Sequence, residues 1–149
     1  MDKVAKALSR FTWPYSDQDP AALSEIAKRV ADTGRAENLI TYTDLVSGID
    51  FHLATVNKGL PVRLGVPDWS ELHRAIIGDF LGRLCVNTYR AGKFMGSALV
   101  VAAETGQPSE GYRAFMRELG VLTGKGEAAF LEHWIVETRK AYKWYASHP

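Results

Sequence analysis

The chain has 149 residues, of which 46% are hydrophobic and 23% charged, and its formal net charge at pH 7 is +1. This length fits one domain, and the ordinary composition excludes a largely disordered or fibrous protein. The near-neutral charge, with no basic arm, disfavours a protein that depends on phosphate neutralisation, without excluding it. We expect a cytoplasmic protein, since no apolar run is long enough to span a membrane, no secretory signal is recognisable, and the single cysteine, Cys85, cannot form an intramolecular disulfide.

The N-terminal region is predicted to form two helices. Val4, Leu8 and Phe11 recur at helical spacing, and the pattern then breaks at a Trp-Pro pair. Asp19 followed by Pro20 is typical of a helix start, because the carboxylate can cap the first turn and the proline ring already has a helical φ. A second helix is therefore predicted to begin there.

A short helix and a hairpin are predicted next. The segment ITYTDL at 40–45 indicates a turn entering a short helix with Thr43 as its cap. Apolar residues alternate over 49–55 and return over 60–64, with an Asn-Lys-Gly turn between them, which predicts a β-hairpin. Because Pro61 cannot donate to a strand ladder, the returning strand is expected at a sheet edge.

The longest helix is predicted from Asp68 to Ala91. Asp68 is expected as its N-cap, with Glu71 three residues later completing a capping-box pattern. Gly78 and Gly82 lie four residues apart within this helix, and each costs about 1 kcal/mol relative to alanine. We therefore expect another segment to approach the helix closely on this flank.

The C-terminal part is predicted to contain a buried strand at 97–102, a helix capped by Ser109 and ended by Gly120, and a last helix over 126–145. The last helix carries several aromatic residues with two open interpretations. They pack in the core, or they form a docking surface for a protein partner or for a second copy in a homodimer. These residues are Trp134, Tyr142, Trp144 and Tyr145.

Three segments carry a family resemblance: ITYTDL at 40–45, RAIIGDFLG at 74–82 and SALVVAAETGQPSEGY at 97–112. In this order they resemble the winged helix-turn-helix part of the alkylguanine DNA alkyltransferases and alkyltransferase-like proteins. The chain is also similar to small bacterial proteins of no assigned function that combine an ALVV–TG–P–GY segment with an aromatic-rich terminal helix. At the position of the alkyltransferase cysteine this chain has Ser97-Ala98, and a serine hydroxyl cannot replace a thiolate of low pKa, so alkyl transfer is not expected.

The predicted fold is α+β and rich in helix, with a winged helix-turn-helix-like core, a small antiparallel sheet and helical extensions at both ends. One domain is expected. Its parts are an N-terminal helical extension at 1–36, the winged-helix-like core at 37–120 with a hairpin inserted at 49–66, and a C-terminal helix at 121–149.

The resemblance implies a noncatalytic nucleic-acid-binding or regulatory protein that contacts duplex DNA through the long helix and the wing. Arg83 and Arg90 lie seven residues apart on one side of that helix and would face phosphates. In the alternative interpretation Arg83 pairs with Asp79 one turn earlier on a solvated face. The other candidate contacts are Tyr42, Thr43, Lys93, Gln107 and Ser109.

The second hypothesis is a protein-interaction module without nucleic-acid binding, and an enzyme of unidentified chemistry ranks third. Only the fold could bring Ser97 or Cys85 together with His52 and Asp50, and no nucleophile motif supports such a site. The four histidines are widely spaced, so no metal site is expected. No cofactor is expected either. His133 is expected to lie on a helix surface or to be partly buried.

Overall fold

The computed structural model describes residues 2–149, which form six α-helices and one pair of short strands. The helices are α1 (Lys3–Leu8), α2 (Pro20–Arg35), α3 (Tyr42–Val46), α4 (Glu71–Gly92), α5 (Glu110–Glu118) and α6 (Gly126–Ser147). The strands are β1 (Ile40–Thr41) and β2 (Val100–Val101). The α+β class and the high helix content are confirmed.

The sheet differs from the prediction in its direction. Strands β1 and β2 pair in parallel, with Ile40 opposite Val100 and Thr41 opposite Val101, whereas an antiparallel sheet was expected. Parallel neighbours need a long crossover, and here α3, the 49–66 segment and α4 all lie between the two strands. The alternation of apolar and polar residues reports on neighbouring residues only, so it does not predict which distant strands pair.

The predicted hairpin is reduced to one antiparallel bridge. Phe51 and Val62 exchange both N–H···O bonds, at 2.8 and 2.9 Å. The strand pairing does not continue beyond Phe51 and Val62, because the Leu53 carbonyl instead accepts a hydrogen bond within a turn, from the Val56 N–H at 2.9 Å. Phe51 and Leu53 are both fully buried, so the predicted alternation correctly identifies the inward face.

Two helix caps are confirmed. The Asp19 carboxylate accepts from the Ala22 N–H at 3.0 Å, and its second oxygen accepts from the His52 N–H at 2.8 Å. The Ser109 hydroxyl accepts from the Tyr112 N–H at 3.4 Å at the start of α5. Each cap satisfies an N–H that has no partner within its own helix.

Two other predicted caps are wrong by two residues. The cap of α3 is Thr41 rather than Thr43, and its Oγ1 accepts from the Asp44 N–H at 3.1 Å. The cap of α4 is Ser70 rather than Asp68, and its Oγ accepts from the His73 N–H at 3.1 Å. In both places two residues of types that can cap a helix lie two positions apart, so residue type alone does not determine at which of them the helix begins.

Helix α4 lies between two hydrophobic clusters. One cluster contains residues of α2, α3, the 49–64 segment and the end of α6, and the other contains residues of α1, α5 and the start of α6. Five residues of α4 recur at helical spacing on one face, and all of them are buried; they are Ile77, Phe80, Leu81, Leu84 and Thr88. A fully buried phenylalanine such as Phe80 contributes about 1.5–3 kcal/mol relative to an exposed one.

The segment after α4 is buried, as expected, but is mostly a tight helical turn over Gly96–Leu99 rather than a strand. Side chains hold it in that form. The Thr88 hydroxyl donates to the Phe94 carbonyl at 2.8 Å and accepts from the Gly96 N–H at 2.9 Å, and a Glu137 carboxylate oxygen accepts from the Met95 N–H at 2.9 Å. None of the helices described over residues 2–149 combines the length and apolar character of a membrane-crossing helix.

A candidate binding cavity beside the long helix

A cavity of about 610 Å³ lies between the middle of α4, the start of α5 and the segment that follows α1. Small-molecule sites commonly have volumes of roughly 300–1,000 Å³, so the cavity has room for an organic molecule. Its lining is mainly aromatic and aliphatic, with a few polar side chains, a pattern typical of ligand pockets.

One wall of the cavity is formed by three aromatic rings, Phe11, Trp13 and Phe115, which we call the aromatic wall. Phe11 stacks on Trp13 with ring centroids 5.6 Å apart, and Phe115 meets both rings edge to face, at 5.2 and 6.1 Å. A Cβ at Gly82 would collide with the Trp13 ring, so this glycine lets the indole lie against the α4 backbone. The expected close approach is therefore confirmed at Gly82.

Trp69, just before α4, is a second aromatic boundary of the cavity. Its Nε1 donates to the Thr43 hydroxyl at 3.1 Å, and its ring covers Gly65, where a Cβ would come within 2.9 Å of the indole. The Gly65 N–H donates to Nδ1 of His73 at 3.1 Å, and the His73 ring meets Trp69 edge to face. These contacts hold the indole in place without a ligand.

Three of the predicted nucleic-acid contacts, Tyr42, Thr43 and Ser109, are brought together on the cavity lining. The Tyr42 hydroxyl donates to Ser109 Oγ at 3.0 Å and accepts from the Ser109 N–H at 3.1 Å. Thr43 accepts from Trp69, as described above. Their polar groups therefore join α3 to the start of α5 and to the Trp69 segment.

Tyr112 lines the cavity and connects it to α6. Its hydroxyl lies 2.8 Å from Nε2 of His133, which is half-buried, as expected. Burial raises the pKa of the Tyr112 hydroxyl well above its usual value, and burial is also the main reason that the pKa of His133 is lowered. Both pKa shifts favour the neutral form of the group. The neutral imidazole of His133 therefore accepts a hydrogen bond from the protonated hydroxyl of Tyr112.

Gly78 is the bare part of the cavity lining. It lies in the middle of α4 and is exposed, and apart from its chain neighbours and its own helix backbone no atom lies within 4 Å of the position that a Cβ would occupy. The expected close packing is therefore absent at Gly78. The cost of a mid-helix glycine, about 1 kcal/mol, has no compensating contact within the described chain at this position.

Two kinds of charge line the cavity. Arg74, one turn before Gly78, is exposed and forms no ion pair with any residue in 2–149. Glu104 follows β2 and Glu110 begins α5, and Glu110 lies 3.7 Å from the guanidinium of Arg113. Arg74 is therefore the cationic lining side chain whose charge is left without a partner.

Arg83 does not pair with Asp79. The Asp79 carboxylate instead accepts from the backbone N–H groups of Tyr15 and Ser16, at 3.0 and 2.8 Å, which fixes the turn before α2. Arg83 lies 3.5 Å from Asp17 at the end of that same turn. The alternative interpretation predicted that Arg83 forms an ion pair with Asp79. Arg83 does form an ion pair, but its partner is Asp17.

The remaining predicted nucleic-acid contacts lie outside the cavity lining. Arg90 is exposed and forms no ion pair within residues 2–149. Lys93 ends α4, where its ammonium lies 2.9 Å from the Asp2 carboxylate and over the Tyr89 ring. Gln107 accepts from the Arg113 guanidinium at 3.0 Å.

Two of the aromatic residues in α6 hold hydrogen bonds within the chain. Trp134 is half-buried and its Nε1 donates to the Ala98 carbonyl at 2.8 Å. Tyr142 is also half-buried, and its hydroxyl donates to the Asn38 carbonyl at 2.9 Å. These bonds tie α6 to the turn before β2 and to the end of α2.

The other two of the four aromatic residues singled out in α6 cover glycines. Tyr145 is 5% exposed and its ring lies against Gly34, while Trp144 lies against Gly92. A Cβ at either glycine would collide with the ring above it. The docking role of these four aromatic residues and the homodimer stay predictions.

The imagined nucleophilic site is not assembled. Cys85 is fully buried with its Sγ 3.0 Å from Ser97 Oγ, and burial raises the pKa of the thiol to about 11, so it is protonated at neutral pH. His52 lies 4.0 Å from Asp19, and Asp50 pairs with an arginine of the returning segment. The Cys85 thiol is therefore not activated, and neither His52 nor Asp50 lines the cavity.

Residues 2–149 contain no group of three or more histidine, cysteine, aspartate or glutamate side chains that could hold a metal ion. Comparisons of the chain with protein-family models, with curated proteins and with solved structures found no match.

Proposed function

We propose that this protein binds a small, largely apolar organic molecule in the cavity beside α4. The observation that carries the proposal is a cavity of about 610 Å³ lined by the aromatic wall, by Trp69 and by the uncovered backbone of Gly78. Apolar surface of this kind gains free energy when a ligand displaces the water from it.

Preorganisation supports the proposal. The aromatic wall is held by ring contacts and by Gly82, and Trp69 is held by Thr43 and Gly65. A ligand entering such a cavity does not have to order these side chains, so less of the interaction energy is lost on binding.

The test uses a neutral fluorescent probe, phenylnaphthylamine, titrated with the purified protein. We expect saturable binding at one site, with energy transfer from the tryptophans. Gly78→Leu places a side chain in the cavity and should remove binding, whereas Ala75→Leu adds the same side chain at an exposed position of α4 outside the lining and should not. Absence of saturable binding to the wild-type protein, or equal binding by both variants, contradicts the proposal.

A second proposal is nucleic-acid binding by a winged-helix-like core at 37–120, in a cytoplasmic protein. The exposed and unpaired guanidinium of Arg90 on α4 favours it. Anisotropy with labelled duplex DNA at several salt concentrations tests it, because the slope of log K against log salt is about −0.9 for each phosphate contact. We expect the double variant Arg83→Ala/Arg90→Ala to bind more weakly with a shallower slope, and unchanged binding would contradict this proposal.

A further inference from the structure

We infer that the ligand of the cavity is a flat aromatic anion, whose ring lies over Gly78 and whose acidic group faces Arg74. This inference rests on the proposed binding function and adds the chemical class of the ligand. Three features of the cavity carry it: how aromatic rings and glycines meet in this protein, the position of Arg74, and the way the acidic residues of the lining are paired.

Aromatic rings cover glycine backbone at four places in this structure. The pairs of glycine and ring are Gly34 with Tyr145, Gly65 with Trp69, Gly82 with Trp13, and Gly92 with Trp144. At each place a Cβ would come closer than 3.0 Å to the ring, so the missing side chain is what lets the ring lie on the backbone. Gly78 provides the same kind of bare helix surface, faces the cavity, and has no ring above it.

A planar ligand suits the space above Gly78. The flat face of an aromatic ring can lie on the exposed backbone, as the Trp13 indole does one turn later at Gly82. The neighbouring rings of the aromatic wall and Trp69 can then meet the ligand by stacking or edge to face, arrangements that aromatic pairs prefer. A branched aliphatic ligand would gain none of this geometric fit.

The position of Arg74 sets the charge of the ligand. Arg74 precedes Gly78 by four residues, so the two share one face of α4 and are separated by about 6 Å along the helix axis. A ring above Gly78 therefore places a substituent within reach of the guanidinium. Arginine binds carboxylate and sulfonate oxygens through two parallel N–H donors, which favours an acidic group over a neutral one.

The acidic residues of the lining do not cancel this preference. Glu110 lies 3.7 Å from Arg113, whose guanidinium also holds Glu127 at 3.0 Å, and the Glu110 side chain is 91% exposed, so water screens its charge. Glu104 is exposed and lies in the segment that follows β2, so its charge is also screened by water. Arg74 is the cationic side chain of the lining, so an acidic group of the ligand gains most beside it.

The experiment compares two probes with the same ring system, neutral phenylnaphthylamine and its sulfonated counterpart, anilinonaphthalene sulfonate. We expect the sulfonate to bind the wild-type protein about tenfold more tightly than the neutral probe, the size of one charge-assisted interaction. Arg74→Gln should weaken sulfonate binding about tenfold and leave binding of the neutral probe within about twofold. Arg90→Gln is the matched control, since Arg90 is an exposed arginine of the same helix outside the cavity lining.

The possible outcomes distinguish a failure of this inference from a failure of the proposed binding function. Binding of the neutral probe without preference for the sulfonate overturns the inference and leaves the binding function standing. Failure of both probes overturns the binding function itself. Equal loss of sulfonate binding in Arg74→Gln and Arg90→Gln, or undiminished sulfonate binding in Gly78→Leu, shows attachment elsewhere on the surface and overturns the inference.

Discussion

Two stretches of α4 differ in what covers the helix backbone. Around Gly82 and Gly92 an indole ring lies on the bare backbone, so the missing side chains are used for packing within the chain. Around Gly78, one turn before Gly82, the backbone is equally bare and is exposed to a cavity. The difference shows that the same residue type serves internal packing at one turn and leaves space at the next.

Removing a ring from the covered stretch should have the largest effect. Trp13 is only 9% exposed and belongs to the aromatic wall, so Trp13→Ala should destabilise the fold by about 3–5 kcal/mol and weaken binding of the neutral probe. Urea unfolding followed by circular dichroism measures the first effect. A loss below about 1 kcal/mol would show that this indole is not part of the packed structure.

Adding one carbon beneath that ring should have the next largest effect. The Cβ in Gly82→Ala collides with the Trp13 ring, and overpacking of this kind costs about 1–3 kcal/mol, more than the gain of about 1 kcal/mol in helix propensity. The free energy of unfolding should therefore fall. Stabilisation by this substitution would place the indole away from α4.

The same substitution one turn earlier should have the opposite sign. Gly78→Ala meets no atom within 4 Å, so we expect the unliganded protein to gain up to about 1 kcal/mol in stability. Affinity for the aromatic probes should decrease in the same variant, because the methyl group occupies the surface on which the ring lies. Equal changes in stability for Gly78→Ala and Gly82→Ala would remove the distinction between the two stretches.

The smallest effect concerns the attachment of α1, which leads into the aromatic wall. The pKa of Asp2 is lowered to about 2, first by the N–H of Ala5 and then by the Lys93 ammonium. A carboxylate whose pKa is lower in the folded state stabilises the fold above its ordinary pKa of 3.8, and this contribution is lost as the pH falls towards 2. Urea midpoints between pH 5 and pH 2 should fall less steeply for Asp2→Asn than for the wild type, whereas parallel curves would show that Asp2 is not held by these partners.

Local features of the sequence predicted part of this structure. Asp19 before a proline and Ser109 before an apolar-periodic segment are correct caps, because a cap depends on neighbouring residues only. Thr41 and Ser70 were missed because a second capping residue stands two positions away in each case. The parallel strand pair was missed because it joins segments sixty residues apart in the chain.

The cavity depends on contacts that no local pattern contains. Trp13 and Trp69 come from segments on either side of the hairpin region, and Phe115 comes from a third part of the chain. One signal was present in the sequence, namely two glycines four residues apart in a helix whose intrinsic propensity would be higher with alanine at both positions. Only the fold separates their roles, since it brings Trp13 onto Gly82 and nothing onto Gly78.

The most direct test is a crystal structure of the protein with anilinonaphthalene sulfonate bound. We predict the ring system over Gly78, between the aromatic wall and Trp69, with the sulfonate oxygens within hydrogen-bond distance of the Arg74 guanidinium. A cavity that stays empty while the probe occupies another surface, or a probe whose sulfonate points away from Arg74, would contradict the account.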